Sequence, residues 1–266
     1  MIHTERLTAI HAATPLLSSS VQFSDARAKI KRANKHIADL EHRLAEIPDS
    51  RRSSVEIDPN TRYKSLKHDI VDERWVTDVP LLIGDVVHNL KCALDYSWLE
   101  VVKVVVPSAV DKFAKFPVRE TRDELQTAME GRKIQEASPE LFTLMLDNIR
   151  PYKGGDFAIW TLHDLDIMDK HRLLIPVTAC VSIKDFKLED EFGVHTASTW
   201  GAIQNPPYYI TFPEHINIKE HGELLFEVSF DQAAVEDAPS VNATFGIYTQ
   251  CIIEVVEALE AFVETI

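Results

Sequence analysis

The sequence predicts an α+β fold: an antiparallel helical bundle, an antiparallel β-sheet inserted before its last helix, and a β-hairpin after its first long helix. Three observations carry this expectation. Ile30, Ala33, Ile37, Leu40, Leu44 and Ile47 recur at alternating threes and fours, the period of one helix face. Phe245, Tyr248, Ile252, Val255, Leu259 and Phe262 repeat the pattern near the other end of the chain. Between them, from 177 to 240, the apolar period switches to two, as in Val177, Ala179, Val181 and Ile183. One domain is expected over 1–266, with helices in 24–176 and 242–266 and the sheet in 177–240.

Residues 1–23 have no clean period and read as a loosely docked arm. Ser24 suits an N-cap for the first helix, which Pro48 ends. That helix has a basic outer face: Arg27, Lys29, Lys31, Arg32, Lys35 and Arg43 outnumber Asp39 and Glu41. Val55, Ile57, Tyr63 and Leu66 flank the turn signal Asp58-Pro59-Asn60-Thr61, which predicts the hairpin. Asp78 and Pro80 mark the start of a helix over 79–105. Thr121 and Glu124 are placed for a capping box, and Ser138-Pro139-Glu140 opens a further helix to Arg150. Gly154-Gly155-Asp156 ends a turn in an N-cap for a helix from 157 to about 174. Tyr209–Phe212, Ile216–Ile218 and Leu224–Phe230 are further strands, and Asn242 is positioned to cap the last helix.

Chemistry concentrates in two stretches, Gly84-Asp85-Val86-Val87-His88-Asn89-Leu90-Lys91-Cys92-Ala93-Leu94-Asp95-Tyr96 and Leu162–Arg172. At about 100° per residue, Asp85, His88, Asn89, Cys92, Asp95 and Tyr96 fall in one arc of their helix. That arc holds no Glu and no Arg, unlike a face washed by solvent. On the later helix His163, Asp166 and Lys170 share one face, while Asp164 and His171 share another with Trp160 and Ile167. His88, Asp95, His163, Asp166, Lys170 and His171 are therefore the candidate catalytic residues. Polar groups in such helices are costly unless paired, so a structural network is the competing reading.

The formal net charge is −14, which disfavours a broad grip on nucleic acid or an anionic membrane while leaving room for a local patch. Lys29, Arg32 and Lys35 form that candidate patch, as a contact for a phosphate backbone. Three dispersed cysteines, Cys92, Cys180 and Cys251, contain no C-x-x-C pair, fit a reducing cytosol, and predict no thiolate zinc site. The N-terminus lacks a signal-peptide pattern, and the longest apolar run, Val101–Val110, is broken by Lys103 and Pro107. A cytoplasmic protein with no membrane partner is expected. No phosphate loop, nucleophile elbow or H-E-x-x-H motif occurs, and no cofactor or resident metal is expected.

The segment at 84–96 resembles the pattern G-D-x-x-H-N-L-R-x-A-L-D-H of an uncharacterised bacterial family, and 166–172 is similar to its D-K-H-R signature. Phe116-Pro117 and Arg150-Pro151-Tyr152 fit the spacing between them, so the resemblance covers roughly residues 27–178. A wider resemblance is to HEPN domains, helical bundles of toxin and defence systems, some of which are metal-independent ribonucleases with an R-x4-6-H motif at a dimer interface. This chain has Lys91 and Tyr96 at the two corresponding places, and a tyrosine, with a reference pKa of about 10, cannot replace a histidine base. The resemblance implies a nucleic-acid-associated protein, with RNA as partner and His88 with Asn89, or His171 with Arg172, in place of that pair. The alternatives are a non-catalytic module pairing as a homodimer through its heptad-like helices, and a metal-dependent hydrolase using His88, Asp95, His163 and Asp166.

Overall fold

In the computed structural model the fold is α+β, and residues 22–72, 74–112, 115–172, 175, 177–202, 207–231, 235 and 240–266 are described. The expected N-terminal arm falls almost wholly outside them. Helix α1 spans Ser24–Glu46 and buries Ala26, Ile30, Ala33, Leu40 and Leu44, the stripe that its spacing dictates. Phe23, not Ser24, holds the N-cap position, and Ser24 is already helical. The hairpin follows as β1 (Arg51–Ile57) and β2 (Lys64–Ile70). Its turn is fixed by Asp58, whose carboxylate accepts the amides of Asn60 and Thr61 at 2.8 and 2.9 Å.

Helix α2 (Trp75–Val105) is the centre of the molecule, in contact with α1, α6 (Phe157–Arg172) and α7 (Val241–Glu264). It starts four residues before the predicted 79, and Asp78 sits in its first turn rather than at its cap. Between α2 and α6 run the short helices α3 (Arg122–Gly131), α4 (Ile134–Ala137) and α5 (Pro139–Thr143). The Thr121 hydroxyl caps α3 by accepting the Glu124 amide at 3.1 Å. The single helix expected from Ser138 to Arg150 is instead α5 followed by a π-helical turn over Leu144–Ile149. Arg150 ends that turn in the left-handed region, with φ 56°. The α7 cap is Ser240 rather than Asn242: its hydroxyl accepts the Ala243 amide.

The strands make two antiparallel sheets. One has the order β1-β2-β5, where β5 is Tyr208–Phe212, so the hairpin is not isolated but gains a strand from the inserted region. The other is built on β3 (Val177–Asp190), which pairs with β4 (Gly193–Ala202), β6 (Asn217–Glu220) and β7 (Glu223–Phe230). Alternate residues of β7, Leu224, Phe226, Val228 and Phe230, turn inward. Phe226 meets Trp75 of α2 edge-on at 5.3 Å, and Phe230 meets Phe245 of α7 at 5.8 Å, joining sheet to helices.

The apolar stripes of α1 and α7, which suggested pairing between copies, are spent against α2 and each other within one chain. Arg27, expected on the outer face of α1, turns inward and pairs with Glu260 of α7, both nearly enclosed. Removing one member of such a pair strands the other charge in a poorly solvated place. Glu260→Ala therefore costs about 3 kcal/mol in a urea titration, whereas Arg27→Met combined with Glu260→Leu costs much less.

Candidate functional site

Apart from Val76 at its start and Lys103 and Val104 at its end, helix α2 leaves to solvent a narrow stripe: Thr77, Leu81, Asp85, His88 and Tyr96, with Cys92 half-buried between the last two. These positions step by threes and fours, so they follow one line along the helix. Lys29 of α1 stands to one side of the line and Asp166 and Lys170 of α6 to the other. The stripe is thus the floor of a shallow groove.

His88 is the central group. Its ring is half exposed, 49%, and Nδ1 lies 3.4 Å from Oδ1 of Asp166, whose side chain is only 5% exposed. Oδ2 of Asp166 accepts from Lys170 Nζ at 2.5 Å. An ionised carboxylate is an acceptor only, so Nδ1 carries the hydrogen and Nε2 is left as the acceptor. Nε2 sits 3.5 Å from the Cys92 thiol, one helical turn on. Cys92, His88 and Asp166 thus lie in the order of a thiol–imidazole–carboxylate relay. Burial, the leading influence on the thiol, pushes its pKa up, and the nearby Lys29 offsets this only in part. The thiol is therefore held protonated.

The groove wall on α1 is supplied by Lys29, whose ammonium donates to Asn89 Oδ1 at 3.4 Å and lies 5.8 Å from the centre of the Tyr96 ring. Asn89 in turn donates to the Asp85 carbonyl at 2.7 Å. Arg32 and Lys35 are exposed on α1 and form no ion pair among the described residues.

The other predicted residues are not part of this constellation. Asp95 faces inward, accepting from Lys91 at 2.5 Å and from the Phe116 amide at 2.9 Å. Lys91 itself is buried, so the Lys91–Asp95 pair ties α2 to the chain at Phe116. His163 is half-buried beside the Trp160 ring, 6.2 Å between centroids, and no hydrogen bond joins it to His88 among the described residues. Burial, and then the charge of Lys91, push its pKa down, so it is neutral. His171 is exposed at the end of α6 with no described partner. Among the described residues no three His, Cys, Asp or Glu side chains converge in a metal-ligand set.

Two residues of the groove did not stand out beforehand as site residues. Cys92 fell in the polar arc with His88 but was not among the candidate catalytic residues. Asp169, one turn from Asp166, packs against Gly84 so closely that a Cβ there would lie 2.4 Å from its Oδ1. Gly84 is thus what lets α6 approach α2 at this level. The chain matches no protein-family model, no curated protein and no solved structure. Among the described residues no helix is long and apolar enough to cross a membrane.

Burial, followed by the like charge of Asp166, raises the pKa of Asp169. An acid whose pKa is raised by folding weakens the fold wherever it is ionised. Asp169→Asn therefore raises the melting temperature at pH 7, and the gain shrinks as pH falls through the carboxylate range.

Proposed function

We propose that the groove on α2 is a nucleic-acid-directed site of HEPN-like type, in which His88 acts as the general base on RNA. The observation that carries this reading is the half-exposed imidazole held through Nδ1 by a buried carboxylate, with Nε2 beside the Cys92 thiol and the ammonium groups of Lys29 and Lys170 nearby. Imidazole is the side chain whose protonation changes nearest neutral pH, and a carboxylate behind it fixes its tautomer. The ammonium groups of Lys29 and Lys170 suit the charge of a phosphodiester.

In this scheme His88 Nε2 takes the proton of a ribose 2′-hydroxyl as that oxygen attacks the adjacent phosphorus. The phosphorus–O5′ bond breaks, a 2′,3′-cyclic phosphate forms, and the departing oxygen takes a proton from water. Lys91 and Tyr96, which stand where HEPN nucleases carry Arg and His, have other roles here: Lys91 is buried against Asp95, and Tyr96 shares the groove wall with Lys29. The ligand set needed by a metal-dependent hydrolase finds no support in Asp95, whose carboxylate is engaged by Lys91 and the backbone at Phe116.

The test is incubation of the purified chain with RNA at low salt, with and without EDTA. Cleavage that survives EDTA is expected, and His88→Ala lowers the rate at least about 100-fold with little change in melting temperature. RNA that stays intact, or a His88→Ala variant that cleaves like the parent, overturns the reading.

A further inference from the structure

A second cationic surface lies at the start of α6, apart from the α1 patch. Arg119 is threaded into the loop that precedes α6: its amide donates to the Pro151 carbonyl at 3.1 Å and its carbonyl accepts from Lys153 at 3.2 Å. This short parallel bridge with Tyr152 holds three cations, Arg119, Arg150 and Lys153, on one loop. The Arg150 guanidinium lies 6.0 Å from the centre of the Tyr152 ring, and the Lys153 ammonium lies 5.8 Å from that of Trp160. Both rings are partly open to solvent, and Phe157, the first residue of α6, is 51% exposed beside them. Arg119 also stands close enough to Arg132 to add to the effect of burial in lowering its pKa, so two guanidinium groups are neighbours.

The loop is stiff. Its backbone turns on itself through Tyr152 N to Arg150 O, Gly155 N to Tyr152 O and Asp156 N to Arg150 O, all within 2.9 Å. Gly155 is needed for this closeness, since a Cβ there would meet the Arg150 carbonyl at 2.3 Å. Asp156, the one acidic residue in 150–157, is turned away to cap α6: its Oδ1 accepts the Ile159 amide at 3.0 Å and the Cys251 thiol at 3.5 Å. None of Arg119, Arg150 and Lys153 is ion-paired to a described residue. The Arg150 guanidinium donates to the Tyr152 hydroxyl and the Gly154 carbonyl, both at 3.4 Å, and that of Arg119 to the Val118 carbonyl at 2.7 Å, so no carboxylate neutralises them through an ion pair among the described residues. In a chain of net charge −14, a loop that alternates such cations with partly open aromatic rings is the exception.

We infer that this loop is a landing surface for single-stranded RNA, which then runs along α6 to the His88 groove. Unpaired bases stack on aromatic rings without regard to sequence while cations follow the phosphates, the pairing found here. Trp160 and Lys170 lie about 80° apart around α6 and about 15 Å apart along its axis, a reach for a short run of nucleotides. The inference rests on the nucleic-acid reading of the groove and adds the substrate's form and its second point of contact.

The test is fluorescence anisotropy of a labelled, mixed-sequence single-stranded oligoribonucleotide with the full chain over a range of salt. Arg150→Asn, which keeps a residue tolerant of the left-handed backbone, is combined with Lys153→Glu, and circular dichroism confirms that the double variant is folded. The parent chain binds more weakly as salt rises. The double variant binds at least tenfold more weakly at low salt, and its salt slope is shallower by about 1.4, for two lost phosphate contacts. Cleavage assayed on the same samples separates the two ideas. RNA that is bound through the loop but never cut leaves the landing surface standing and removes the His88 base. RNA that is cut by a double variant binding like the parent removes the landing surface alone. Competition by an RNA duplex, or by an oligoglutamate peptide, as strong as by the single strand also overturns the inference.

Discussion

A carboxylate almost wholly withdrawn from water governs the centre of this molecule. Asp166 is 4% exposed, and an ion in such a place is tolerable only with partners on both oxygens. One oxygen takes the ammonium of Lys170 a turn away, and the other takes the imidazole of His88 from the neighbouring helix. The demand for compensation thus reaches across the α2–α6 interface and orients a ring that is itself half in solvent. Asp169 shares the same poorly hydrated space, which is why its charge is disfavoured and why the helix opposite carries no side chain at Gly84.

The long helices were legible because each satisfies its period against one neighbour. The α1 stripe from Ile30 to Ile47 packs against α2, and the α7 stripe from Phe245 to Phe262 is likewise buried. The hairpin turn was legible because Asp58 binds backbone two and three residues on, a purely local device. The joining of β5 to β2 was not, since the pairing of Leu66 with Ile210 depends on where the rest of the chain brings the two strands. The break near Leu144 escaped for a similar reason: a π-helical turn leaves no mark in an apolar period that continues through it.

In the candidate site, periodicity separated polar from apolar faces but could not rank the polar residues. His88 and Asp95 fell in one arc, about 20° apart on the helix, yet Asp95 is engaged by the buried Lys91 and the Phe116 amide while His88 is left half in solvent. His163 shares a face with Asp166, but its ring settles beside Trp160. The arginines and the lysine of the α6 entry loop drew attention only as spacing around Arg150-Pro151-Tyr152. Their proximity to Arg119 is created by a backbone bridge between segments distant in sequence.

The three-stranded sheet has a consequence for how the molecule is made. Its inner strand, β2, ends by residue 70, while the strand that completes it begins at residue 208. A two-stranded ribbon is marginal in water by itself. During synthesis the β2 margin that β5 will occupy has no partner until most of the polypeptide has left the ribosome, and such a margin invites pairing with other chains. A pairing between segments so far apart in sequence closes late and slowly, so the β2 margin is the place where this fold is most exposed to mispairing.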